Sequence, residues 1–369
     1  MALRALRAAL SSGLLLVVVA MGPPGPAFAE TAPRAFLMTV WPDRVRLLDE
    51  KTEEFLDDFQ LRHGAVTSTT HTPDYERFFF VTDRMESVEV VEPAKRQVVD
   101  EFKLSRPERK VRLFGLAVHP DGNLLYLSAR SVRMEADRFE AEEPEIVLYD
   151  LAAKTVKKSF SIPSPIGDRP TLCFSRDGRA LYAFSRDVYE LDPETLEIKD
   201  KIVLSEPLMS GYGPLEGLSL IEAEADVYYG IYRSKEPFLE KNVVGLARVD
   251  LEARRVDRYD LDPDIKVRRL AISPDGKRGY AGLEDVVAID MDSHQIVLTK
   301  KNVEQGRINT SMVVSYDGSK LYVSGVGNTI DVYDTGTLEP IKKIFVGADF
   351  TSPLVELPRN ALGGLAGKP

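Results

Sequence analysis

Short apolar runs that end in an acid, turn, and resume as a second apolar run occur seven times along this chain. They end at Leu48-Asp49, Val91-Glu92, Tyr149-Asp150, Leu191-Asp192, Val249-Asp250, Ile289-Asp290 and Tyr333-Asp334. The acids stand 43, 58, 42, 58, 40 and 44 residues apart. A unit of that length cannot bury its own apolar face, so this period marks stacked or radial repeats rather than one irregular domain.

A second marker precedes most of the acids. Thr72-Pro73-Asp74, His119-Pro120-Asp121-Gly122, Ser175-Arg176-Asp177-Gly178, Ser273-Pro274-Asp275-Gly276 and Ser315-Tyr316-Asp317-Gly318 read as tight turns. In these, Pro presets φ, Asp bonds nearby backbone and Gly takes the positive φ that reverses the chain. The gap between Asp177 and Asp275 has its midpoint at Asp226, flanked by apolar runs, where a turn is expected without its usual residues.

Each unit therefore reads as four strands, a to d in chain order. In the third unit, a is Leu113 to Val118, b is Leu124 to Ser128, c is Glu145 to Leu151 and d is Thr155 to Ile162. Alternation and β-branched or aromatic content favour strands throughout. The repeat after the leader opens on b-like Ala35 to Val40, then Arg44 to Asp49 and Glu54 to Gln60, with no a strand before them. The missing partner is predicted at the other end, in Ser352 to Leu357. Pairing the two ends removes the exposed strand edges that an open ring would leave. The expected fold is all-β: a seven-bladed β-propeller of four-stranded antiparallel blades, closed by the C-terminal strand on the N-terminal blade.

Residues 1–29 read as a signal peptide. Arg4 and Arg7 precede an apolar run from Leu14 to Ala20, and Ala27-Phe28-Ala29 offers small residues for cleavage. A retained membrane anchor is the alternative, although the run is short for a span of about 20 residues. The expectation is an exported chain, periplasmic or extracellular, with the propeller at 30–360 and a flexible tail at 361–369. Removing 29 of 369 residues leaves about 49 per blade, within the roughly 40 to 50 of four-stranded blades. Net charge is −10 before cleavage. An acidic chain without a basic stripe argues against nucleic acid. The single cysteine, Cys173, falls inside a predicted strand, as a small core hydrophobe would, and cannot form an internal disulfide.

Candidate chemistry is sparse. His63, His71, His119 and His294 show no metal-ligand spacing, and His119 takes the place of the turn serine. Neither C-x-x-C-H nor a G-x-S-x-G elbow occurs, and Asp260-Leu261-Asp262-Pro263-Asp264 lacks the glycine of a calcium loop. Catalysis is unsupported, although ring folds can assemble a site from separate blades.

The a-to-b and c-to-d turns share one face of such a ring, and the b-to-c loops and d-to-a connections share the other. Irregular segments concentrate on the second face, including inserts at Arg130 to Pro144 and Arg233 to Asn242 and connections at Ser105 to Lys110, Ser164 to Pro170 and Ser205 to Leu215. Binding residues concentrate on such loops. The insert from Met134 to Glu143 suits either a partner-docking arm or a mobile loop. Arg112, Arg169, Arg268 and Arg307 precede a strands and are the candidate site residues: a cationic collar at the channel mouth for a small anionic ligand. The alternative is that each caps a carboxylate such as Asp168 or Glu216.

The run Ser315-Tyr316-Asp317-Gly318-Ser319-Lys320-Leu321-Tyr322-Val323-Ser324, continuing through Asn328-Thr329-Ile330-Asp331-Val332-Tyr333-Asp334, resembles the exported seven-bladed propellers of the YVTN class. Within that class the chain is similar to the β chains of quinohemoprotein amine dehydrogenases. The resemblance implies a non-catalytic periplasmic scaffold that meets protein partners through its loop face, with any quinone cofactor or haem carried on partner chains. The runner-up is a stand-alone propeller that binds or hydrolyses a small anionic molecule at the channel mouth.

Overall fold

The computed structural model describes residues 34–205, 216–224, 226–236, 241–301 and 308–362. They form seven antiparallel sheets of four strands, each in the order a-b-c-d, with one short extra strand in blade 3. Blade 1 is Val355–Pro358, Arg34–Val40, Arg44–Asp49 and Phe55–Gln60. Blade 2 is Ser68–His71, Phe78–Thr82, Ser87–Glu92 and Gln97–Lys103. Blade 3 is Arg109–Val118, Leu124–Met134, Glu145–Asp150 and Thr155–Ser161, with Phe139–Ala141 as the extra strand. Blade 4 is Thr171–Phe174, Leu181–Phe184, Val188–Leu191 and Ile198–Ile202. Blade 5 is Glu216–Glu224, Val227–Glu236, Lys241–Asp250 and Arg255–Asp260. Blade 6 is Val267–Ile272, Arg278–Leu283, Val286–Asp290 and Gln295–Lys300. Blade 7 is Asn309–Val314, Lys320–Gly325, Thr329–Asp334 and Pro340–Phe345.

Apolar content within a blade follows its distance from the axis. The b strand of blade 2, Phe78-Phe79-Phe80-Val81-Thr82, is buried at every position because neighbouring blades cover both of its faces. The d strand of blade 6 alternates exposed and half-buried residues, as a strand on the rim must. The described apolar core is divided among seven clusters, each spanning the seam between two adjacent blades. Cys173 is 6% exposed in the blade 4 to 5 seam, its Sγ 2.9 Å from the Tyr228 hydroxyl.

Closure takes the expected form. Ala35 pairs with Leu357 and Leu37 with Val355, so the first and last described strands share one sheet. Arg34 forms an ion pair with Glu356 within this sheet. Across the seam to blade 7, the buried Glu53 carboxylate accepts bonds from Lys320 Nζ at 2.7 Å, the Tyr322 hydroxyl at 2.9 Å and Lys342 Nζ. The packed chain continues past the expected boundary at residue 360. Ala361 and Leu362 are buried, and Leu362 joins the core between blades 1 and 2, so these two residues are no part of a free tail.

The recurring acids are turn caps. Asp49 Oδ1 accepts the N–H groups of Lys51 and Thr52, Asp192 those of Glu194 and Thr195, and Asp334 those of Gly336 and Thr337. Asp150, Asp250 and Asp290 make bonds of the same kind. The fourth residue after each acid has positive φ, and none is glycine: Glu53, Arg96, Lys154, Leu196, Arg254, His294 and Leu338, at 53° to 58°. This left-handed residue closes every c-to-d corner, a regularity invisible to a search for turn glycines. The a-to-b turns use the expected chemistry. Ser175, Ser273 and Ser315 each donate a hydroxyl to the aspartate two residues on and accept an N–H five residues on. His119 replaces the serine, with Nδ1 2.9 Å from Asp121 Oδ1. Asp226, at φ 59°, makes the turn expected there without glycine.

Candidate binding face

On the loop face, four buried carboxylates hold the irregular backbone. Glu89 accepts the N–H groups of Arg62 and His63 and the Thr82 hydroxyl, fixing the connection from blade 1 to blade 2. Asp187 accepts the N–H groups of Leu204 and Ser205 at 2.9 and 2.8 Å, and pairs with Lys201 at 2.8 Å. Burial alone would raise its pKa, but the Lys201 bond and the two N–H groups outweigh it and hold the carboxyl below its ordinary value. Asp285 accepts the Lys266 N–H and lies 3.4 Å from Lys301, and Asp331 is bonded by Thr329. These acids are occupied with backbone and lysine, so they serve as struts. The sequence signal for two of them was a charged pair ahead of strand c, Arg186-Asp187 and Glu284-Asp285.

Both inserts are built on strand extensions, residues 237–240 of the second lying outside the described residues. In blade 3 the b strand runs on to Met134, stays paired with the lengthened a strand as far as Arg109 opposite Arg133, and folds back so that Phe139 pairs with Met134. Arg109 fixes this hairpin through Glu142 at 2.5 Å and Glu145 at 2.6 Å, and Arg133 bonds Glu142 at 2.9 Å. In blade 5, strands b and c pair without interruption from Val227 opposite Asp250 to Glu236 opposite Lys241. The two hairpins carry their sheets beyond the common blade length on the loop face. Phe139 is 76% exposed on the first.

Beneath the blade 3 hairpin lies an open groove of about 770 Å³ between blades 2 and 3. Its floor includes Phe102 and Tyr149, stacked with centroids 3.8 Å apart and planes 6° from parallel. Its walls carry charges of both signs, among them Lys103, Arg106, Arg109 and Glu142. Among the described residues no group of three or more His, Cys, Asp or Glu is placed to hold a metal ion.

The candidate arginines do not occupy equivalent positions. Arg112 stands seven residues before its turn residue His119, Arg169 six before Ser175 and Arg268 five before Ser273; Arg307 lies outside the described residues. Arg112 is exposed and pairs in register with Arg130, whose guanidinium bonds Asp168 at 2.6 Å. Arg169 sits 4.5 Å over the Phe114 ring, with Nε 4.0 Å from Asp168. Blades 3 and 4 thus bring Arg130 and Arg169 to one aspartate, with Arg112 in register with Arg130. Arg268, two blades away, is the extra residue of a bulge between Val267 and Arg269. Its Nε is buried with no hydrogen-bond partner among the described residues. Bulges re-aim side chains, and sequence spacing cannot show them.

No protein-family model matches the chain, and no curated protein matches its sequence. Solved structures do match. The dihydro-heme d1 dehydrogenase NirN in complex with DHE is similar at 15% identity and TM-score 0.56, over 94% of this chain and 78% of that one. Hydrazine synthase of Kuenenia stuttgartiensis is similar at 15% identity and TM-score 0.57, over 94% of this chain and all of that one. At this identity the likeness concerns the fold, and because 1483 solved chains match, the fold by itself selects no activity. The chain is a seven-bladed β-propeller of four-stranded antiparallel blades. No helix among the described residues is long and apolar enough to cross a membrane.

Proposed function

We propose that this chain is an exported propeller that works as a scaffold or docking subunit, of the kind that the amine dehydrogenase β chains represent, in a redox assembly whose quinone or haem sits on other chains. The observation that carries the reading is the pair of extended strand pairs in blades 3 and 5. A stand-alone ring has no structural need to extend two sheets past its face, and paired backbone projecting beyond a rigid scaffold suits partner recognition. Fold neighbours named as a dehydrogenase and a synthase are consistent with redox surroundings. The basic, apolar and small-residue order of residues 1–29 supports export.

The test is co-purification from the native host with the full chain against a variant in which residues 135–138 are replaced by a two-residue turn. Loss of an otherwise stoichiometric partner, with unchanged urea unfolding, is the expected result. Identical co-purification removes the blade 3 hairpin as the contact, and no partner at all sinks the docking reading.

A second reading, an anionic ligand at the channel mouth, is favoured by one observation, the partnerless Arg268 Nε. A half-buried guanidinium with an unmet donor is costly and suits an anion acceptor. Titration with inorganic phosphate or succinate should then show binding that Arg268→Gln abolishes and added salt weakens. No heat or shift at millimolar anion removes this reading.

A further inference from the structure

Four large apolar side chains stand in solvent along one arc of the loop face, where blade 7 meets blade 1. Trp41 is 61% exposed, Val326 64%, Phe345 67% and Ile308 45%. Trp41 and Val326 lie in b-to-c loops, Phe345 ends a d strand and Ile308 precedes an a strand, so all four belong to the same face.

Backbone bonds knit this arc together. The Val326 N–H donates to the Ile308 carbonyl at 3.0 Å, the Val346 N–H to the Asn328 carbonyl at 2.7 Å, and the Trp41 N–H to the Asp349 carbonyl at 2.8 Å. Arg46 of blade 1 donates to the Val346 carbonyl. The segment from Phe345 to Phe350 thereby runs across the seam with Trp41 at its far end. Other exposed large apolar residues, such as Ile198 and Val297, are single positions on outer strands. Scattered exposure of that kind is ordinary, whereas a clustered patch containing Trp and Phe has the composition of an interface centre.

Charge around the patch selects the occupant. Arg44 and Arg46 are engaged by Asp58, and Lys343 lies 3.8 Å from Asp331. Beside Trp41, among the described residues, Asp43 meets only the neutral Gln60 amide at 2.8 Å through its side chain, and the exposed Asp349 side chain makes no ion pair. The two arginines share one carboxylate, so the charges named here sum to −1, with the acids free of ion pairs gathered at Trp41, on a chain of net charge −10. A second copy and an anionic membrane both bring excess negative charge toward these acids, and a cationic protein does not. We infer that the Trp41–Val326–Phe345–Ile308 patch docks a separate protein whose contact surface is apolar at its centre and ringed by Lys or Arg. This names the surface for the docking role proposed above and rests on that reading.

The experiment places a photo-crosslinking amino acid at Phe345, at Phe139, or at Val297 as an outer-strand control, in the full chain within its native host. The expected product is one partner captured at 345 and not at 297. Once that partner is identified and purified, Trp41→Ser and Phe345→Ser should each weaken binding at least tenfold, and Asp349→Lys should weaken it further and flatten its salt dependence. Capture at 139 alone would overturn this inference while leaving the docking role intact; capture nowhere would remove both. Sedimentation showing a homodimer lost in Phe345→Ser, or co-sedimentation with phosphatidylcholine vesicles lost in Trp41→Ser, would assign the patch to a second copy or to lipid and overturn the inference. Unchanged urea midpoints in the serine variants separate lost contact from lost fold.

Discussion

On the turn face, Asp49, Asp150, Asp192, Asp250, Asp290 and Asp334 all cap their own c-to-d corners with bonds to N–H groups two or three residues away. On the loop face the carboxylates have different tasks. Glu89 holds the connection that enters its blade, Asp187 holds the one that leaves its blade, and Asp285 meets Lys266 ahead of its own a strand. The turn face repeats because its contacts are local and one short motif satisfies them in every blade. The loop face varies because its contacts join distant residues, which leaves room for extended hairpins and an exposed apolar arc. Regularity marks the structural side of this ring, and departures from it mark where to look for function.

The largest test breaks the closure on which both faces depend. Truncation after Gly347 removes Leu354, Val355, Leu357 and Leu362, all buried at 2% exposure or less. At roughly 1.5–3 kcal/mol each this loss is comparable to the whole stability of a domain. The truncated chain is expected to show no cooperative urea transition, and a retained sharp transition would contradict the closure.

Next in size is a proton effect on the turn face. His71 is 2% exposed, donates through Nδ1 to the Thr72 carbonyl at 2.9 Å, stacks on Tyr75 at 4.2 Å, and keeps a buried Nε2 without a hydrogen-bond partner. Burial pushes its pKa down from 6.5 to about 4, against the opposing pull of the Thr72 bond and of Asp74. A depressed folded pKa means that the unfolded chain binds the proton first. The stability is fully present above pH 6.5 and is lost as pH falls from 6.5 toward 4, by up to ~3 kcal/mol. His71→Phe should remove that slope in urea unfolding measured between pH 7.5 and 4.5. Parallel profiles for the two proteins would show that the imidazole is not the source.

Smaller still is the loss of one corner. Asp334→Ala strands the N–H groups of Gly336 and Thr337 and should cost about 1–2 kcal/mol, while Phe139→Ser on the loop face should leave the urea midpoint unchanged. Equal effects would erase the distinction between the faces. The smallest change goes the other way. Lys154 holds φ 54° at an exposed corner, so Lys154→Gly should relieve left-handed strain and raise stability by ~0.5 kcal/mol after the entropy of glycine and the exposed Asp100 pair are offset. A loss above ~1 kcal/mol would mean that the ion pair outweighs the strain.

From the sequence alone came the all-β class, the seven units, the serine-aspartate-glycine turns and the pairing of the two ends, because each rests on contacts within a few residues or on a period that repetition makes visible. The arginines show the limit. Arg112, Arg169 and Arg268 look alike as cations ahead of a strands, yet they meet different neighbours: Arg268 falls on the a-strand bulge, the place that Phe114 holds in blade 3, and Arg112 lies two residues further along its lengthened strand. The blade 3 insert, charged enough to suit a mobile loop, extends the b strand because the lengthened a strand offered it a backbone partner. The apolar arc had no sequence signature at all. Trp41, Ile308, Val326 and Phe345 are scattered over some 300 positions, and only closure of the ring, which sets blade 7 against blade 1, brings them to one edge.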